Sequence, residues 1–154
     1  MALLLSGCIY GFAGGGLPPR IHTVAVLPFD NQTASPMLQR ELYDALRKDV
    51  EGRLGLNEAT ESKADALVKG TIVRYEADIP VAYSADPAQS NTAQRKLRIT
   101  VDVEIIDQTT GRTIWQQKGL TRDGTYAQQS ESDGRKDAIQ KIVNDVIAGA
   151  QSQW

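Results

Sequence analysis

The sequence predicts an α+β fold, a two-layer sandwich in which two helices cover one face of a four-stranded sheet in the order β-α-β-β-β-α. Two observations lead to this prediction. Leu97 to Asp107 alternates apolar and polar side chains, as a strand with one buried face does. Two other segments repeat apolar residues at three- and four-residue spacing, as helices with one buried face do. One sheet face and two helix stripes can therefore bury each other.

The first strand and the first helix come early in the chain. Ile21 to Phe29 is apolar and rich in β-branched residues, which predicts a buried strand. Ser35-Pro36 predicts a helix start, because serine caps free amide groups and proline is tolerated in a first turn. Gly52 and Gly55 are predicted to end that helix. Its apolar stripe consists of Leu38, Leu42, Ala45, Leu46, Val50 and Leu54.

Three further strands and a second helix complete the predicted domain. Ala66 to Ala77 and Thr113 to Thr121 flank the alternating strand, and Gln108 to Gly111 forms a hairpin turn before the last strand. The polar stretch Leu56 to Ala64 could add a short edge strand. The second helix begins around Ser130 to Asp133, and its stripe consists of Ala138, Ile139, Ile142, Val143, Val146, Ile147 and Ala150.

The amino terminus resembles the end of a bacterial lipoprotein signal. Residues 2–8 read Ala-Leu-Leu-Leu-Ser-Gly-Cys, which implies cleavage before Cys8 and a diacylglycerol on its thiol. We therefore divide the chain into a residual signal (1–7), a lipidated Gly/Pro-rich tether (8–20) and a single α+β domain (21–154). The alternative is that Cys8 is an ordinary buried thiol. No segment approaches the ~20 consecutive apolar residues of a spanning helix, so attachment would be by lipid alone.

Composition excludes several classes of function. The 17 cations and 19 carboxylates give a net charge of −2, which argues against a protein that neutralises duplex nucleic acid. One Cys and one His exclude zinc sites built from several thiolates or imidazoles. The chain has neither a nucleophile elbow nor a phosphate-binding glycine loop. We predict that the protein is not an enzyme and holds no metal or cofactor.

Two polar features have alternative interpretations without catalysis. Asp102 and Glu104 lie two residues apart on one strand face, which could suit acid–base chemistry or a divalent cation. A solvated sheet face explains them better, and we favour it. His22 has no neighbouring catalytic group and is expected to be a surface residue.

A cluster of cations follows a long polar connection. Tyr83 to Gln94 contains one charged residue and no large aliphatic side chain, and connections of this length are often functional. It leads into Arg95, Lys96 and Arg98, which could bind phosphate groups. An ordinary solvated strand end with protective charges is an equal alternative.

Several segments together resemble the LptE family of lipopolysaccharide-assembly lipoproteins. Leu5 to Cys8 matches the lipidation signal, and Thr23 to Thr33 looks like the family's first strand and its exit. Ala64 to Ile72 looks like the second strand, and Arg98 to Trp115 looks like the hairpin that follows. The match spans nearly the whole chain.

The resemblance implies a periplasmic two-helix, four-strand sandwich that is anchored to the outer membrane by Cys8. It also implies that the domain plugs the lumen of the LptD β-barrel and helps deliver lipopolysaccharide to the outer leaflet. Lipopolysaccharide binding, known in the family, would fall on Arg95, Lys96 and Arg98. The alternative is a periplasmic lipoprotein of the curli-secretion or cell-wall-synthase-activator type, which the opening Val24 to Phe29 also resembles.

Overall fold

The computed structural model describes residues 17–81, 94–127 and 130–152. Within these ranges it contains two helices and six strands, so the predicted α+β class is confirmed. None of the described helices is long and apolar enough to cross a membrane. In chain order the elements are β1 (Thr23–Val26), β2 (Asp30–Asn31), α1 (Met37–Leu54), β3 (Asn57–Glu58), β4 (Ala66–Pro80), β5 (Gln94–Asp107), β6 (Arg112–Ala127) and α2 (Glu131–Gln151).

The sheet has six strands, so the predicted count of four is wrong. Its order is β3-β1-β4-β5-β6, and β2 pairs with β4 beside β1. The two additional strands, β2 and β3, are two residues long and pair parallel to their neighbours. Two residues are too few to show an alternating pattern, so periodicity could not identify them. The possible short strand within Leu56 to Ala64 is confirmed as β3.

β4, β5 and β6 form an antiparallel meander that is longer than the sequence predicted. β4 extends to Pro80 and β6 extends to Ala127. Both pairings contain register shifts, at which one strand carries an extra residue. The predicted turn before β6 is present, and Gly111 has the positive φ of 67° that such a bend requires.

Both helices share one core with a single face of the sheet. Leu42, Leu46, Ile99 and Ile142 are among its fully buried side chains. Alternate residues of β5 from Leu97 to Asp107 point into this core, as the sequence predicts. The intervening side chains of β5 are half-buried on the other side. We refer to that other side, which carries Arg98, Thr100, Asp102 and Glu104, as the open face.

The ends of α1 match the sequence in part. Gly55 follows the last turn with a φ of 65°, as predicted for a glycine that ends a helix. Gly52 lies within the helix, so the prediction that it helps to end α1 is wrong. No side chain caps the first turn, and Pro36 occupies the capping position. The carbonyl of Ser35 accepts a hydrogen bond from the Asn31 side chain at 2.8 Å, which places Ser35 in the preceding turn rather than at the cap.

A polar network joins the first turns of both helices to the sheet. Arg135 donates to both carboxylate oxygens of Glu41 at 3.0 and 3.2 Å and to Glu131 at 3.2 Å. The Tyr75 hydroxyl also donates to Glu131. Burial, together with Glu131, raises the pKa of Tyr75 to about 12, so its hydroxyl stays protonated at neutral pH. Glu41 and Arg135, which are in contact, both lie near the starts of their helices. Arg53 and Asn144, which lie further along α1 and α2, are 2.6 Å apart. The two helices therefore run in the same direction.

The end of the sheet that carries the β5–β6 turn is fixed by a buried carboxylate. Asp107 is 1% exposed and accepts hydrogen bonds from the backbone N–H groups of Thr109 and Thr110. Arg20, which precedes β1, forms an ion pair with the same carboxylate. The segment that leads into the domain is therefore held at this end, which we call the turn end.

Candidate functional site

The three predicted anion-binding cations lie within β5, at the end of the sheet remote from the turn end. Arg95, Lys96 and Arg98 all follow the first residue of the strand, which begins at Gln94. The sequence predicts them at a junction between loop and strand. Because both neighbouring strands also extend this far, the three cations belong to the ordered sheet.

The structure brings two of these cations together and separates the third. Residues alternate between faces along a strand, so Lys96 and Arg98 share the open face and Arg95 lies on the other. Buried Leu97, between the two open-face cations, confirms this alternation. Arg95 forms an ion pair with Asp78, a residue of β4 that has a positive φ of 63° beside a register shift.

Asp123 on β6 bridges the two open-face cations. Its carboxylate accepts hydrogen bonds from Arg98 Nε at 2.6 Å and Arg98 Nη2 at 3.0 Å, in a two-point arrangement that suits a guanidinium. Lys96 Nζ lies 3.2 Å from the same carboxylate. The hydrogen bonds from Arg98 outweigh partial burial and lower the pKa of Asp123 to about 2. The pKa of Arg98 is raised by the same contact.

Two neighbouring residues complete a patch of mixed charge. Glu76 pairs in register with Arg98, and Arg74 pairs with Thr100, so both lie on the open face. We call Arg74, Glu76, Lys96, Arg98 and Asp123 the basic patch. Its three cations exceed its two carboxylates, and an anionic group could bind here by displacing Asp123 from its partners. The arrangement can bind and position charge, and it presents no nucleophile.

Sequence reasoning missed Asp123, Arg74 and Glu76. Asp123 lies 25 residues from Arg98 in sequence, and the contact depends on the register of β6 against β5. The shift near Val101 sets this register, and no local sequence pattern reports that shift. The alternation of Lys96 and Arg98 within a strand was the one available signal.

Asp102 and Glu104 share the open face, as predicted, but each carboxylate is engaged in structural contacts. Asp102 accepts a hydrogen bond from the Gly119 N–H at 2.7 Å. Glu104 accepts one from the Thr113 hydroxyl at 2.6 Å and lies 3.8 Å from Lys69 Nζ. Both line a cavity of about 430 Å³ on this face. In the described ranges no group of three His, Cys, Asp or Glu side chains is placed to hold a metal ion.

Several predicted features cannot be located. Cys8, the residual signal at 1–7 and most of the tether at 8–20 lie outside the described residues. The same holds for residues 82–93, which form nearly all of the long polar connection. His22 is described and is exposed at the turn end, where its backbone N–H donates to Asp65 at 2.9 Å.

A family model described as "LptE: Lipopolysaccharide-assembly" matches residues 21–148. The match spans every helix and strand of the described structure except the last residues of α2. No curated protein sequence matches the chain.

Solved structures share the fold at low sequence identity. A PelC dodecamer from Paraburkholderia phytofirmans is 18% identical with a TM-score of 0.54, over 84% of this chain and 91% of that one. A hypothetical protein from Chlamydia trachomatis is 12% identical with a TM-score of 0.54, over 83% and 94% respectively. A Xanthomonas campestris protein is 9% identical with a TM-score of 0.53, over 90% and 91%. At these identities the similarity extends to the fold alone.

Proposed function

Because the chain belongs to the LptE family of lipopolysaccharide-assembly proteins, a non-enzymatic family, we propose that it is an outer-membrane lipoprotein that plugs the LptD β-barrel, helps to assemble it and assists lipopolysaccharide insertion into the outer leaflet. The family match over residues 21–148 is the observation that carries this proposal. The protein is then a binding and assembly factor.

Attachment to the membrane is proposed through Cys8. Removal of residues 1–7 would leave a lipidated cysteine at the start of the tether. Stable anchoring generally needs more than one signal, and a barrel partner would supply the second. The domain would then lie on the periplasmic side of the outer membrane or within the barrel lumen.

The described surface suits a polar barrel lumen. Its only exposed large hydrophobic side chains, within residues 17–81, 94–127 and 130–152, are Met37 and Val73. The lumen of a large outer-membrane barrel is itself polar, so contact with such a wall would be made by hydrogen bonds and water rather than by a dry apolar interface.

Capture of the barrel tests the proposed role. We expect the detergent-solubilised, tagged chain to retain a β-barrel of the LptD type through purification, in a fixed ratio. A Cys8→Ala variant, secreted by a cleavable signal, is the matched control for contact without lipid and should still bind the barrel. Recovery of the chain alone, at normal abundance, would contradict the proposal.

Direct contact with lipopolysaccharide is proposed at Arg95, Lys96 and Arg98, with Lys96 and Arg98 acting together on the open face. Replacing both by Ala is expected to weaken binding of purified lipopolysaccharide about tenfold, because it removes two charged donors. Asp123→Asn should strengthen binding several-fold, since it removes the competing carboxylate. Arg95→Ala, on the opposite face, should have the smaller effect. Unchanged affinity in the Lys96/Arg98 double variant would exclude the patch.

A ring-forming envelope lipoprotein is the second candidate. It corresponds to the alternative secretion-channel class and is favoured by the fold shared with PelC, whose solved structure is a dodecamer. Sedimentation of the purified chain distinguishes the two, because a ring has a mass many times that of the 16.8 kDa chain.

A further inference from the structure

β6 is an edge strand of 16 residues with a sheet partner on one side only. An edge strand presents backbone N–H and C=O groups to any extended chain that approaches it, and proteins usually protect such edges. The two halves of β6 differ in this protection.

Side chains cap the second half of the edge. Lys141 donates to the carbonyl of Asp123 at 2.9 Å, and the N–H of Thr125 donates to Asp137 at 3.2 Å. The carbonyl of Thr121 accepts a hydrogen bond from a side chain as well, at 2.8 Å. Alternate residues of β6 therefore turn their backbone groups away from β5. In this half, charged side chains form hydrogen bonds with several of those groups.

Among the described residues, the backbone of the first half of the edge, Arg112–Lys118, has a side-chain partner only at its first residue, where the N–H of Arg112 donates to the Thr110 hydroxyl at 3.4 Å. Thr121, whose backbone groups point away from β5, pairs with Thr100 of that strand. Glu104 lies four residues further along β5 and pairs with Gln116. The same alternation therefore turns the N–H and C=O of Gln116 away from β5. Among the hydrogen bonds of the described residues, none caps either group. The side chains of Gln116, Gln117 and Lys118 are exposed.

Two cations without carboxylate partners flank this open half. Across the described ranges, neither Arg112 nor Lys118 has an acidic side chain within 4.0 Å, whereas Lys96, Arg98 and Lys141 are all paired. Arg112 pairs with core-facing Asp107 and so lies on the helix side of β6, whereas Lys118 lines the open-face cavity, so an added strand would meet one cation on each of its faces. The half-buried Ile114 and Trp115 between them offer apolar contact.

We propose that Arg112–Lys118 is a docking edge for an extended segment of another protein, which adds as a further strand and places acidic side chains against Arg112 and Lys118. Backbone hydrogen bonds at Gln116 would supply affinity, and the two cations would select the partner. A second copy of this chain fits less well, because antiparallel self-pairing about Gln116 sets Lys118 opposite Ile114 and brings no carboxylate to either cation. The proposal does not depend on the role at the LptD barrel.

The proposal is tested by measuring the binding of synthetic peptides to the full chain with Cys8→Ser. Each peptide has the length of Arg112–Lys118. A labelled peptide with one glutamate near each end, on opposite faces of the extended chain, and valine between them is expected to bind saturably, measured by fluorescence anisotropy. The same peptide with lysine for glutamate should bind about tenfold more weakly. A version with N-methylated backbone amides should not bind. Failure of the acidic peptide to saturate, or equal binding of the N-methylated peptide, would overturn the proposal.

Two variants separate the backbone from the charges. Gln116→Pro removes the outward N–H without removing a bond to β5, and it should abolish peptide binding. The Arg112→Glu/Lys118→Glu double variant should reverse the preference from the acidic to the lysine peptide, a result that does not rely on loss of folding. Lys48→Glu/Lys136→Glu makes the same charge change elsewhere and should leave the preference unchanged. A double variant that still prefers the acidic peptide would contradict the charge assignment, and self-association that the acidic peptide fails to displace would assign the edge to a second copy.

Discussion

Asp123 connects the chemistry of the basic patch to its stability. Its carboxylate holds Lys96 and Arg98 in place, with the shorter contact at 2.6 Å to Arg98 Nε. The same contact reduces the charge that the patch offers to an anion. A single residue therefore positions the two cations and competes with any ligand for them.

The lowered pKa of Asp123 gives a definite pH dependence. Its pKa is about 2 in the folded protein, held there first by hydrogen bonds from Arg98, whereas an aspartate in an unfolded chain titrates near about 4. The ion pair therefore stabilises the fold above about pH 4, and this contribution disappears as the pH falls through about 2. Asp123→Asn should lower the unfolding free energy by about 1 kcal/mol near neutral pH, with a smaller difference at acid pH, measured by urea denaturation.

An exposed ion pair on α1 supplies the control. Arg40 and Asp44 lie 3.8 Å apart with side chains 88% and 63% exposed. Asp44→Asn should change the unfolding free energy by less than about 0.5 kcal/mol at either pH. A loss for Asp123→Asn that stays constant from neutral to acid pH would show that the ion pair is not its source.

At the scale of elements, glycines determine how closely α2 approaches β6. A Cβ on Gly124 would overlap the carbonyl oxygen of Gly134 in the first turns of α2. A Cβ on Gly149, near the other end of the helix, would overlap the ring of Trp115. The helix is therefore in close contact with the strand at both of its ends.

Gly124→Ala is expected to destabilise the fold by about 3 kcal/mol, because the atoms it meets are helix backbone and cannot rotate away. Chemical denaturation measures the loss. Gly52→Ala is the matched control, since its Cβ meets nothing within 4 Å and Gly52 lies inside α1. That variant should be more stable than the parent by about 0.5–1 kcal/mol, through helix propensity. Equal effects of the two substitutions would contradict the close approach.

The sequence predicted the structure well where an apolar pattern repeats. It did not predict contacts that depend on the register between strands. The stripes of α1 and α2 and the alternation of β5 predicted the core face correctly, because burial repeats over many residues. β2 was missed, and β3 was anticipated only as a possible edge strand, because two residues carry no period. Asp123 was missed because its contact with Arg98 depends on a register shift in a neighbouring strand. Ser35 was expected to cap α1 because serine favours that position. It lies instead in the turn stabilised by Asn31, which local residue preferences do not show.

At the scale of the whole molecule, the proposed membrane attachment and the basic patch lie at opposite ends of the sheet. Arg20 binds Asp107 at the turn end, where the tether joins the domain, and the basic patch is centred on Arg98. Asp107 and Arg98 are nine positions apart on β5, which at the usual rise is about 30 Å. With Cys8 as the proposed anchor, the patch is held at the end of the domain away from the point of attachment.

The position of β1 has a consequence for the order in which the protein is made. β1 lies between β3 and β4, and both of these strands follow it in the chain. A polypeptide that emerges from its amino end first therefore presents Thr23–Val26 long before Ala66–Val68 exists to pair with it. β4 and β5, by contrast, each pair with the strand that follows them in the chain. β1 of the nascent chain therefore has no sheet partner until β3 and β4 have emerged. The segment that carries the proposed signal precedes every part of the molecule that can fold.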